Sequence, residues 1–182
     1  INLEESNNNT IEDNTASNNG GHGLWLTNSS DNNLTGNTAE NNFWTGIRSD
    51  WSNNNNLTNN NFSNNGSVGI RLVDSSNNTL SNNTTSNNID NGITLTRSIF
   101  NSISNNTASN NNRRGIGLGS SSNNTLTGNN ISNNGLDGIR ITYSSDNQIY
   151  NNNFINNTPQ ASVDGGSGNI FNLDKPIGGN SW

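Results

Sequence analysis

The sequence predicts an all-β chain, a right-handed parallel β-helix of about seven rungs, each built from three short strands. Three observations predict it. Glycine returns every 23 residues, at Gly23, Gly46, Gly69, Gly92, Gly115 and Gly138. Each opens a short apolar segment, reading GLWL, GIRS, GIRL, GITL, GIGL and GIRI in turn. Three asparagine columns keep the same period with no member missing.

The first strand of each rung carries two inward columns. One is Ile1, Leu24, Ile47, Ile70, Ile93, Ile116 and Ile139; two residues on come Leu3, Leu26, Ser49, Leu72, Leu95, Leu118 and Ile141. Apolar residues two apart mean a strand with one buried face. The second strand centres on Ile11, Leu34, Leu57, Leu80, Ile103, Leu126 and Ile149, and the third on Ala16, Ala39, Phe62, Thr85, Ala108, Ile131 and Phe154. These runs are too short for helices, and the Asn-rich gaps oppose helix formation. Rungs stacked about 4.8 Å apart make a rod roughly 30–35 Å long.

Between the strands lie corners. A serine column (Ser6, Ser29, Ser52, Ser75, Ser98, Ser121, Ser144) precedes the asparagine columns that start at Asn9, Asn14 and Asn19 and repeat every 23 residues to Asn147, Asn152 and Asn157. Asn tolerates left-handed backbone, and its amide both donates and accepts. Stacked on its own copy, it forms a ladder. Gly20, Gly66 and Gly135 follow the third ladder, where a positive φ is expected.

Composition alone would point elsewhere. Only 25% of the residues are hydrophobic and 11% charged, values near those of disordered chains. The 50 asparagines recur in register, however, and periodicity outranks composition. There is no cysteine for a disulfide framework or a thiolate metal site. A net charge of −6 from scattered acids argues against a nucleic-acid partner, which needs a basic footprint. No apolar segment is long enough for a transmembrane span. Leucine-rich repeats would need a convex segment absent here, and the calcium-binding nonapeptide motif is missing.

Residues 1–157 are read as the repeats and 158–182 as an irregular final rung and C-terminal cap. The chain opens inside a repeat, which suggests a piece of a longer protein with any targeting signal upstream. Pro159 cannot donate to a ladder, Asn169 to Asn172 read as a last shifted corner, and Lys175-Pro176 is expected to end strand pairing. Open rung edges at both ends would support end-to-end self-association.

The repeat S-x-x-N-x-[IL]-x-x-N-x-x-x-x-N followed by G-I-x-L resembles the NosD-like, or CASH-type, β-helix repeat family, in its Asn-rich versions from archaeal and bacterial surface proteins. Gly178-Gly179-Asn180-Ser181-Trp182 resembles a stretch common after such arrays. The resemblance implies an extracellular or cell-surface location and joins carbohydrate-binding proteins with sugar hydrolases. It also implies, through NosD itself, a link to copper-site maturation. Soft copper sites want Cys, Met or clustered His, and this chain has no Cys, no Met and one His. Copper is therefore not carried over, and no cofactor or metal is expected. His22 reads as a lone surface histidine.

Glycosidases need two carboxylates across the scissile bond. Asp50 and Asp74, nearly aligned on neighbouring rungs, form the only candidate catalytic dyad; otherwise they balance nearby arginines. Two outward columns offer ligand-binding candidates. Trp25, Arg48, Arg71 and Arg140 lie in one, and Trp51, Asp74, Arg97 and Tyr143 in the other. Arg48 and Arg71 stack one rung apart, a like-charge contact that asks for a carboxylate or an acidic ligand. The aromatics could stack on sugar rings. Phe43 and Trp44 form a second, smaller apolar bump, and Ser/Thr columns such as Thr35, Thr58, Ser81, Ser104 and Thr127 faintly resemble ice-binding faces.

The reading is thus a non-catalytic β-helix scaffold or spacer of a surface protein that contacts polysaccharide or envelope glycan. The alternative is a fragment of a polysaccharide-degrading lyase or hydrolase.

Overall fold

The computed structural model describes residues 1–173 and 178–182. The chain winds into a right-handed parallel β-helix with three sheets along its length. Sheet A has eight strands: Asn2–Glu4, Leu24–Thr27, Ile47–Asp50, Ile70–Val73, Ile93–Thr96, Ile116–Gly119, Ile139–Thr142 and Ala161–Asp164. Sheet B has seven, from Thr10–Glu12 to Gln148–Tyr150. Sheet C pairs Thr107–Ser109, Asn130–Ser132 and Asn153–Ile155, and isolated bridges carry it back to Thr15. Pairing is parallel with a 23-residue register, as in Leu3↔Leu26 and Ile70↔Ile93.

Apart from Ile1, which is exposed at the open first rung, the four inward columns are buried; their apolar members form a single core, and Ser49 and Thr85 are buried with them. Ser49 is the polar exception in its leucine column, and its hydroxyl has no partner among the described residues. Replacing Ser49 by alanine is therefore expected to raise stability by about 1 kcal/mol, read by urea denaturation.

The corners divide their work between two consecutive residues. The ladder asparagines do not take the left-handed conformation; the residue before each one does. Asn77, Asn82 and Asn87 have φ of 58°, 54° and 57°, and Asn78, Asn83 and Asn88 follow them as the ladder members. The serine ladder works the same way, with Asp74 at φ 48° before Ser75. One residue turns the chain and the next bonds to its copies.

The ladder bonds have a fixed direction. The Asn backbone N–H and, except at Asn55, the side-chain amide donate to Oδ1 of the asparagine one rung later, as from Asn60 to Asn83 at 3.0 Å each. From Asn37 to Asn152 in the second ladder the other amide hydrogen reaches back to the preceding rung, as from Asn60 to the Leu34 carbonyl at 2.9 Å, whereas at Asn78 and Asn101 it bonds a carbonyl of its own rung, that of Ser76 or Ile99. Each of these second-ladder amides therefore ties three rungs, and the corner donors are satisfied inside the protein.

The expected positive φ at Gly20, Gly66 and Gly135 is not found. At Gly66 the constraint is space: a Cβ there would strike the backbone carbonyl of Phe43.

After Asn157 the period changes while the ladders continue. Ala161–Asp164 pairs with Ile139–Thr142, Ile170 bridges Gln148, and Ser181 bridges Asn153. Gln160 Oε1, Asn169 Oδ1 and Asn180 Oδ1 accept the last ladder bonds from Asn157, Asn147 and Asn152. Trp182 stacks on Phe154 with ring centroids 4.9 Å apart. Lys175 and Pro176, expected to end strand pairing, lie outside the described residues.

Candidate functional site

The outer face of sheet A is set by alternation. Between each inward pair one residue points out, so register alone aligns Trp25, Arg48, Arg71, Thr94, Gly117 and Arg140. The sheet ends at the corner column of Trp51, Asp74, Arg97 and Tyr143, all at φ near 50°. Trp, Arg and Tyr rarely adopt that conformation; the same corner also holds Glu5, Asn28 and Ser120, whereas the other three corners use mostly Asn, Asp or Gly.

The predicted residues fall into three groups. At the N-terminal end, the Arg48 guanidinium lies 5.7 Å above the Trp25 ring and donates through Nε to Asp50 Oδ2 at 2.6 Å. The Trp25 indole N–H donates to the same oxygen at 3.0 Å. Asp50 is only 2% exposed. Arg71 is next in register, and its Nε is shielded from solvent without a hydrogen-bond partner among the described residues.

At the corner, Arg97 grips Asp74 with two bonds of 2.8 and 2.7 Å. That guanidinium holds the Asp74 carboxyl below its usual range and raises Arg97 in return. The two members of the candidate dyad are thus each engaged by a different arginine. Trp51 and Tyr143 stand exposed four rungs apart on this corner.

The third group lies toward the C-terminal end. Asp137 is buried and accepts from Arg114 at 3.2 Å and from the Ser162 hydroxyl. Burial acts to raise its carboxyl, but the Ser162 and Arg114 bonds outweigh it, and the net shift is downward. Arg140 reaches Asp164 at 3.1 Å and Asp137 at 3.9 Å. Gly117 and Gly119 leave a shallow bay between Thr94 and Arg140.

His22, read from the sequence as a lone surface histidine, and Trp44, read as part of a separate apolar bump, both belong to the first group. His22 lies 5.5 Å from the Trp25 ring and 5.1 Å from the Trp44 ring. Its Nδ1 accepts the Thr45 backbone N–H at 3.4 Å. With Thr45, Ser67, Arg48 and Arg71, His22 and Trp44 line a pocket of about 260 Å³. The ion pairs carried a signal that could have been read: Asp74–Arg97, Asp90–Arg113 and Arg114–Asp137 all join residues 23 apart.

Burial, followed by the Arg48 charge, lowers the His22 pKa below 6.5. The only histidine of the chain should therefore titrate below the usual midpoint, as its imidazole NMR shifts would show. Its neutral form is the folded partner of Thr45. The stability it lends is present above the unfolded pKa and falls away as pH drops below about 6.5.

A sequence profile described as "Periplasmic copper-binding protein (NosD)" matches residues 45–182, and one described as "Right handed beta helix region" matches residues 1–84. No curated protein matches the chain. Among solved structures, the periplasmic alginate epimerase AlgG is 28% identical with a TM-score of 0.73, over 75% of this chain and 33% of that one. The mannuronan C-5 epimerase AlgE6 A-module of Azotobacter vinelandii is 20% identical with a TM-score of 0.75, over 86% of this chain and 44% of that one. The chain therefore spans about a third of the AlgG length.

The copper in the profile's description has no fitting donors here. The chain has one histidine and neither cysteine nor methionine, and no cluster of three potential ligands occurs among the described residues. That histidine spends Nδ1 on Thr45 and has Arg48 and Arg71 as neighbours, a poor setting for a cation.

Proposed function

The chain belongs to the NosD family of right-handed β-helix proteins, and from that premise we propose that it is a non-catalytic module of the cell envelope or surface that holds polysaccharide on the outer face of sheet A. One observation carries this reading. The face groups two indoles with two guanidiniums, while Asp50, Asp74 and Asp137 are each tied to arginine. Aromatic faces and arginine forks bind sugars; carboxylates already bonded to arginine are poorly disposed to act as acid and base. The structural likeness to an epimerase that acts on alginate supports polysaccharide as the ligand class. The descriptions of both NosD and AlgG as periplasmic support the envelope. Residues 1–157 would serve as the rod and 158–182 as its closing cap, a division supported by Trp182 stacking on Phe154.

The likeness at 28% identity also favours a second reading, a fragment of a polysaccharide-acting enzyme. A panel of purified envelope and acidic polysaccharides separates the two. The module should bind without turnover, and Trp51→Ala/Arg71→Ala should weaken binding at least about tenfold. Turnover abolished by Asp74→Ala would establish the enzyme instead, and absence of binding would remove the glycan role.

A further inference from the structure

We propose that the pocket beneath Arg71 binds the carboxylate of an acidic sugar, with the Trp44 indole as the wall on which the sugar ring rests. The inference builds on the glycan-contact reading and adds the charge class of the ligand.

Five of the six arginines have a carboxylate partner: Arg48, Arg97, Arg113, Arg114 and Arg140. Arg71 has none among the described residues, and its shielded Nε is an unpaired donor. A buried donor left unpaired is costly, and a guanidinium is the most demanding case, with a planar fork of donors shaped for a carboxylate. Arg48 lies directly beside it in register, and Asp50 answers only one of the two charges. In a chain of net charge −6, this pocket keeps a local positive excess.

The rest of the lining fits a sugar acid. Trp44 is 49% exposed and offers an apolar flat surface next to the guanidinium. Ser67 and Thr45 lie in the same wall. His22 accepts at Nδ1, which leaves its Nε2–H as a donor for a hydroxyl or carboxylate oxygen. One cation, one neutral donor and one aromatic wall match a pyranose bearing a carboxylate better than a bare anion, which has no face to stack.

The test compares a tetramer of uronic acids with its carboxyl-reduced, neutral counterpart, by calorimetry on the whole chain. The acidic tetramer should bind at least about tenfold more tightly, and Arg71→Met should erase that preference while Arg71→Lys retains part of it. Circular dichroism confirms that each variant is folded, and Trp44→Ala should weaken binding of both tetramers. A carboxylate bound here should also raise the midpoint of His22, the only histidine, in the wild type. Equal binding of both tetramers would overturn the inference and leave the glycan reading intact. So would an acid preference that survives Arg71→Met. Binding of neither tetramer to the wild type would overturn both.

Discussion

Replacing Asn106 by alanine should destabilise the protein by about 3–5 kcal/mol. Its side chain makes four hydrogen bonds inside the core wall. It donates to the Leu80 carbonyl at 2.9 Å and to Asn129 Oδ1 at 3.0 Å, and it accepts from the Asn83 backbone N–H at 2.9 Å and the Asn83 amide at 3.0 Å. Alanine removes all four and leaves buried groups on both neighbouring rungs without partners. Each such bond nets about 1 kcal/mol, and each orphan adds a desolvation penalty of its own. Asn106→Asp keeps the shape but loses both donated bonds and turns an oxygen toward Leu80, so it should do no better. Asn56→Ala, an exposed asparagine on sheet B, should stay within about 0.5 kcal/mol. Urea denaturation of the three variants decides the matter. Rungs contact only their neighbours, so the Asn106 break should also reduce the cooperativity of unfolding. Equal effects of Asn106→Ala and Asn56→Ala would mean that the ladders follow from the fold without holding it.

The second large effect is expected at Gly69→Ala, about 3 kcal/mol or more. No glycine in this column has a positive φ, so conformational freedom is not the reason for the residue. The reason is distance. A Cβ at Gly69 would come 2.7 Å from the Gly92 carbonyl oxygen, 2.9 Å from Asn88 Nδ2 and 2.9 Å from the Phe62 carbonyl oxygen. That Gly92 oxygen accepts the Ile70 N–H at 2.9 Å. The methyl group would thus push against the sheet bond, the ladder and the opposite wall at once. Gly128 makes the contrast. Its φ is +67° and its column holds Asn on other rungs, so Gly128→Asn should cost little once the Asn105 side chain moves aside. Thermal unfolding of both variants distinguishes a steric column from a merely flexible one.

Much of this architecture was legible because periodicity is physical. A residue that recurs every 23 positions in a parallel solenoid meets its own copies, so the inward columns, the ladders and the sheet A face could be read directly from the alignment of the chain on itself. The corners were harder. Asn77-Asn78 and Asn82-Asn83 are pairs of identical residues, and nothing in the letters tells which turns the chain and which bonds its neighbours. The roles separate only with backbone angles. The pocket was missed for the opposite reason. The column of Gly21, Trp44, Ser67, Asp90, Arg113 and Leu136 changes residue on every rung, so periodicity says nothing about it. His22 looked solitary because the indoles beside it come from its own rung and the next, at unrelated positions in the repeat. The pairing of Asp74 with Arg97 follows from the 23-residue register, which sets Asp50 opposite Val73 and leaves the two acids one position out of line.

The proposed glycan contact lies on the outer face of sheet A near Trp25, Trp44, Arg48 and Arg71. Mapping backbone amide shifts on addition of an oligosaccharide from the polysaccharide it binds tests this most directly. Perturbations should concentrate in residues 22–27, 44–51 and 67–74. Shifts centred on the hydroxyl columns of sheet B, around Thr35, Thr58 and Thr127, would contradict it.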